Sequence, residues 1–108
     1  MNLNETMKAQ HELQIEFYSK FMRLPREERL RDNLKHIIHE TIEVERETNF
    51  KHWKIPVKVN WYNVRTELVD VFIFFMNACN ESGLSAKELL SLTAAKQEIN
   101  RERQRTGY

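Results

Sequence analysis

Apolar residues recur at helical spacing along most of the chain, and the repeats break where turn residues stand. Met7, Leu13, Phe17 and Phe21 lie near one stripe and predict a first helix over residues 4–22. Leu24-Pro25 interrupts it, and Pro25 suits the first turn of a second helix over about 25–49. Leu30, Leu34, Ile37, Ile38, Thr41 and Val44 form the expected inner side of that helix. The segment KIPVKVN, residues 54–60, contains Pro56 and reads as a loop or short extended linker. Asn60 offers an N-cap for a third helix, which should end before Gly83, a residue suited to the left-handed position after a helix. Ser85 and Glu88 make a capping box that opens a fourth helix. It carries Leu89, Leu90, Leu92, Ala95 and Ile99, then turns polar through Arg105.

Only 2 Gly and 2 Pro occur, which leaves little turn chemistry for a β-rich fold. The expected class is therefore all-α, a four-helix core in one domain spanning residues 1–108. The third helix makes a further demand. LVDVFIFFMNAC, residues 68–79, is apolar almost all round, with only Asp70 and Asn77 as polar exceptions. A chain of 108 residues cannot easily cover every face of such a helix, which predicts a self-complementary interface and a homodimer or higher homo-oligomer.

Charge and cysteine content narrow the partners. Lys+Arg 17 against Asp+Glu 16 gives a formal charge of +1, so no global basic field points to nucleic acid. The single Cys79 excludes an internal disulfide framework and fits a reducing cytoplasm. The polar opening MNLNETMKAQHE lacks the shape of a secretory signal, and no apolar run approaches the roughly 20 residues that span a bilayer. A soluble protein with no membrane partner is expected.

The candidate chemistry lies in two acid pairs, Glu40 with Glu43 and Glu67 with Asp70, each spaced i, i+3 within a predicted helix. That spacing puts both carboxylates of a pair on one face. If four such groups converge, each like-charge contact at about 5 Å and an effective dielectric of about 20 costs roughly 3 kcal/mol. A divalent cation relieves that repulsion, and hard oxygen ligands suit Mg²⁺ or Mn²⁺. Asp70 strengthens the reading, because an unpaired charge in an apolar run is expensive. Lys96, Asn100 and Arg103, at i, i+4 and i+7, form a second stripe that reads either as an amphipathic tail with solvated charges or, with a cation, an amide and a guanidinium in a row, as a match to a polyphosphate carrying a sugar or base. The run Phe50-Lys51-His52-Trp53-Lys54 interleaves basic and aromatic residues and reads equally as a phosphate-contacting lid or as a hydrophobic staple.

Glu40-x-x-Glu43 followed after 23 residues by Glu67-x-x-Asp70 resembles the signature of the all-α NTP pyrophosphohydrolases, which include MazG-type enzymes and dimeric dUTPases. The closer resemblance is to the dCTPase–dUTPase branch of the T-even bacteriophages. ELVDVFIFFMN is similar to its E-L-V-D-x-F-H-F-x-x-N, and Lys96, Asn100, Arg103, Gln104, Gly107 and Tyr108 follow its K-x-x-x-N-x-x-R-Q-x-x-G-Y ending. Phe50 to Lys54 looks like its aromatic-Lys-x-Trp-Lys element, and Gln10-His-Glu-Leu13-Gln14-Ile15 is similar to its Q-x-x-L-Q-I. Two departures stand out: Ile73 replaces the His after D-x-F, and the short spacing between the acid pairs is closer to small MazG-like enzymes.

The resemblance implies Mg²⁺ (or Mn²⁺) held by Glu40, Glu43, Glu67 and Asp70, and hydrolysis of a dNTP, dUTP- or dCTP-like, to dNMP and pyrophosphate. It implies Glu43, or Glu40, as the base that takes a proton from water. Lys51, Lys96 and Arg103 would hold phosphates, Asn100 the sugar or a phosphate, and Gln10 the base, with Tyr108 closing over the nucleotide. A di-iron oxidase would need Glu-x-x-His pairs. His36 and His39 do not supply them, since Asn33 and His36 stand three residues before. A non-catalytic helical module binding nucleotide or protein is the remaining alternative, and the intact acid quartet argues against it.

Overall fold

Side-chain caps set most of the helix starts. A computed structural model describes residues 1–107, and among these the only regular structure is helical. Asn2 Oδ1 accepts the Glu5 N–H at 2.8 Å and opens α1, Leu3–Phe17. After a one-turn α2, Ser19–Met22, Pro25 precedes α3, Arg26–Arg46. Asn60 Oδ1 accepts the Asn63 N–H at 3.1 Å to start α4, Trp61–Ser82, which ends on Gly83 in the left-handed region at φ 78°. Ser85 Oγ accepts the Glu88 N–H at 3.1 Å and opens α5, Ala86–Arg105. The caps expected at Asn60, Gly83 and Ser85 are therefore the ones used.

The first helix departs from expectation. Instead of running unbroken to residue 22, it bends at Tyr18, where the backbone (φ −127°, ψ 43°) leaves the helical region. The bend goes with a tie from α3. The Arg29 guanidinium donates to the carbonyl oxygens of Met22 and Leu24 and pairs with the buried carboxylate of Glu81. Arg26 donates to the Glu81 carbonyl beside it. The end of α2 is thereby fastened to α3 and to the last turn of α4, out of line with α1.

α3 and α4 form the main packing unit, and they run antiparallel. As α3 advances from Arg29 through His36 to Glu40, its contacts on α4 retreat from Glu81 through Phe74 to Asp70. α1 lies on the C-terminal half of α4, where Asn80 Nδ2 donates to the Met7 carbonyl at 3.0 Å. α5 stands on α1. Met7, Met76, Cys79 and Ala86 make a small core where these elements meet, with Leu3, Ile73, Leu84 and Leu89 packed around it. Burial pushes the Cys79 thiol above its ordinary range, so it is a core residue and not a nucleophile.

Much apolar surface stays open. Leu34 and Ile38, expected on the inner side of α3, are exposed because, among the described residues, extensive packing on α3 comes from α4 alone. On α4 itself Leu68, Val69, Phe72 and Phe75 are exposed. The radius of gyration is 17.4 Å, against roughly 13 Å for a compact chain of this length. The single chain is an open arrangement, with α5 projecting from its body.

Candidate functional site

The two acid pairs come level with each other on the facing surfaces of α3 and α4. Glu40, Glu67 and Asp70 each present a carboxylate oxygen, and all three oxygens lie within 4.8 Å of one another. None of the three is among the buried polar residues, so Asp70 faces an accessible groove and not a sealed core. Glu43 stands one turn further along α3, its Oε1 3.2 Å from Arg46 Nη1, and lies outside the group of three. Its charge nevertheless reaches the group. Partial desolvation raises the Glu67 carboxyl above its ordinary range, and repulsion from Asp70, Glu40, Glu43 and Glu47 adds to this. Hard oxygens this close, with a proton-attracting member, are a donor set that fits a divalent cation.

A cleft of about 430 Å³ opens between α1, α3 and α4, and Glu40, Glu67 and Asp70 themselves do not line it. Gln10, Leu13 and Gln14 of α1 line it, with Tyr18 and Phe21, Asp32, Asn33 and His36 of α3, and Ile73, Phe74 and Asn77 of α4. His36 lies one turn before Glu40 and Phe74 one turn after Asp70, so cleft and acids are about 6 Å apart along either helix. His36 stacks on Phe74 with ring centroids 4.6 Å apart and planes 13° from parallel. Its Nε2 lies 3.4 Å from Asp32 Oδ2.

The floor of the cleft is built from carboxamides. Asn33 and Asn77 are each 3% exposed and Gln10 9%. Gln10 Nε2 donates to Asn77 Oδ1 at 3.1 Å, and Asn33 Nδ2 donates to the Arg29 carbonyl at 2.8 Å. Among the described residues no polar side-chain atom is sealed without a partner. The second amide atoms of the pair, Gln10 Oε1 and Asn77 Nδ2, are therefore not fully sealed, on residues that line the cleft. They offer an acceptor and a donor side by side.

The remaining candidates lie elsewhere. Lys51 is exposed, its Nζ 5.7 Å from the centroid of Phe50. Its loop follows the end of α3 that carries Glu43 and Glu47. Asn49 closes that loop: its Oδ1 accepts the Val57 N–H and its Nδ2 donates to the Val57 carbonyl, both at 2.9 Å. Lys96, Asn100 and Arg103 are exposed on α5, which packs on α1 and does not line the cleft. Tyr108 lies outside the described residues. The structure adds Asn77, Asn33, His36 and Asn49 to the site or its surroundings. The signal for Asn77 was present in the sequence: it is a lone amide in an apolar run, two turns beyond Asp70 on the same face.

Fold and site together define a helical protein with a clustered carboxylate donor set beside an amide-floored cleft. A sequence model of the dUTPase family matches residues 2–88, and the chain belongs to that family. The match takes in α1 to α4 and the first turn of α5, leaving Lys96, Asn100 and Arg103 beyond it. No curated protein and no solved structure matches the chain. No helix among the described residues is long and apolar enough to cross a membrane.

Proposed function

We propose that the chain is a divalent-metal-dependent pyrophosphohydrolase that cleaves a pyrimidine dNTP, dUTP or dCTP, to dNMP and pyrophosphate. The carrying observation is that the carboxylate group and the cleft wall are built on the same two helices, His36 one turn before Glu40 and Phe74 one turn after Asp70. That spacing suits a nucleotide with its base in the cleft and its phosphates over the acids.

Glu40, Glu67 and Asp70 are the residues that would hold the metal, with Mg²⁺ the expected ion and Mn²⁺ a substitute. When bound, the ion neutralises triphosphate oxygens and lowers the pKa of a coordinated water. Glu43 sits just outside the group and its charge is felt at Glu67, which supports it as the acceptor of the water proton; Glu40 is the alternative. Water attacks the α-phosphorus, the α–β anhydride bond breaks, and pyrophosphate leaves. At the other end Gln10 Oε1 and Asn77 Nδ2 match a pyrimidine edge that carries a donor next to an acceptor, a pattern shared by uracil and cytosine. Phe74 and His36 give the base an aromatic wall. Lys51, Lys96 and Arg103 supply phosphate contacts, Asn100 the sugar or a phosphate, and Tyr108 a cover.

The test is pyrophosphate release from a panel of common and modified dNTPs with Mg²⁺. The expected result is turnover fastest with dUTP or dCTP and lost on chelation. Nucleotide binding with no turnover across the whole panel would overturn the proposal in favour of a non-catalytic module.

A further inference from the structure

Two amides on the floor of the cleft do not by themselves say which pyrimidine belongs there. With Gln10 Nε2 donating to Asn77 Oδ1, the acceptor Gln10 Oε1 and the donor Asn77 Nδ2 are not engaged in that bond. Uracil answers such a pair with its N3–H and a flanking carbonyl, cytosine with N4–H and N3. The floor fits both rings, so a choice between them falls to another wall.

That wall carries one acid. Among the described residues that line the cleft, Asp32 is the only carboxylate; apart from His36, the rest are amides, aromatic rings or aliphatic groups. Its surroundings leave it an acceptor. His36 Nε2, 3.4 Å from Asp32 Oδ2, is its one ion-pair partner among the described residues, and both side chains are 47% exposed. The His36 ring is in turn held against Phe74, centroids 4.6 Å apart. Arg31, next in the chain, pairs with Glu27 at 2.7 Å instead. Asp32 Oδ1 accepts no hydrogen bond from the described residues.

An ionised carboxylate accepts and cannot donate. The amino group of cytosine keeps a second N–H after one is spent on Gln10, and that hydrogen suits Asp32. Uracil, with N3–H on Gln10 and one carbonyl on Asn77, turns its other carbonyl to the same place. There lone pairs would face lone pairs.

We propose that Asp32, steadied by His36, selects cytosine over uracil by accepting the 4-amino group of the base, which makes a dCTP-like nucleotide the preferred substrate. The inference rests on the proposed function and decides between its two bases. Eight residues separate Asp32 from Glu40 on α3, about 12 Å of helix. That exceeds the Debye length of about 8 Å at physiological salt, so the Asp32 charge acts on the base and little on phosphates placed over the acids.

The test compares dCTP with dUTP. Wild type should favour dCTP in kcat/KM by about tenfold or more, the usual scale for one such base contact. Asp32→Asn keeps the size of the side chain, removes the charge and adds a donor that a carbonyl can take, so the preference should vanish or reverse. The ratio is the readout, because a change that merely loosened the fold would slow both nucleotides together. A wild type with no preference for dCTP overturns the inference, and so does an Asp32→Asn ratio equal to the wild-type one. Calorimetry with the α,β-imido analogues of dCTP and dUTP in Mg²⁺ reads the same ratio in dissociation constants, free of turnover. A wild type that hydrolyses no dNTP would defeat the proposed function alone, and the analogues then decide the role of Asp32. Tighter cytosine binding that Asp32→Asn erases supports it; equal binding of the two analogues overturns it.

Discussion

Gln10 and Asn77 stand 67 residues apart in sequence and share a buried hydrogen bond of 3.1 Å. That contact ties α1 to α4. Asn77→Leu should strand the Gln10 amide and cost about 1–3 kcal/mol of stability. Under the proposed function it should also lower kcat/KM for the preferred dNTP at least about tenfold, by removing the donor proposed to read the base. Urea unfolding and a nucleotide panel measure the two effects.

Asp70→Asn and Glu43→Gln should each abolish pyrophosphate release while far-UV circular dichroism stays unchanged, since neither side chain is part of the core. Glu67→Gln should do the same and raise the melting temperature of the metal-free protein, because it removes the charge repelled by Asp70, Glu40, Glu43 and Glu47. Retained activity in both Asp70→Asn and Glu43→Gln would remove the site assignment.

The raised Glu67 carboxyl gives a signed pH dependence. In the folded chain it holds its proton to higher pH than an unfolded glutamate does. Metal-free stability should therefore fall as pH rises from the ordinary glutamate value to the raised one. Metal requires the ionised form, so the apparent Mg²⁺ or Mn²⁺ affinity should weaken as pH drops through the raised value. Thermal melts with and without EDTA across pH check both slopes, and EDTA should lower the melting temperature most at the alkaline end.

Glu81 is 6% exposed and pairs with Arg29, which also ties down the end of α2. Glu81→Ala leaves a largely buried guanidinium without its counter-charge and should cost about 3–5 kcal/mol. Denaturant midpoints report it. The loss should be far larger than for Glu27→Ala, whose partner Arg31 is an exposed one-turn neighbour.

Asn49→Ala removes both hydrogen bonds that close the loop over residues 49–57. Tryptic cleavage after Lys51 and Lys54 should accelerate, and under the proposed function, in which the loop supplies phosphate contacts and no chemistry, KM should rise several-fold with kcat little changed. Peptide mapping and steady-state kinetics separate the two results.

Local signals in the sequence sufficed for the helix boundaries at Asn60, Gly83 and Ser85, since each acts through its own backbone or the next turn. The meeting of Glu40, Glu67 and Asp70 was legible too, because i, i+3 pairs on two amphipathic helices point their acids the same way. The bend at Tyr18 was not. No Gly or Pro marks it, and it accompanies a tertiary tie by Arg29 from another helix. Leu34 and Ile38 look like core by periodicity but lack a second helix to pack against. The placement of α5 was equally hidden, as its periodicity says which face is apolar and nothing about which surface receives it.

The antiparallel register of α3 against α4 has a consequence for which molecules are cut. His36 and Phe74 of the cleft wall and the carboxylates Glu40, Glu67 and Asp70 sit on the same two rods, so the interval between them is counted in whole turns. Under the proposed function that fixed interval would act as a ruler between the base and the phosphates of the nucleotide. A one-residue insertion between His36 and Glu40 would rotate the downstream acids by about 100° and destroy the gauge while leaving both ends intact.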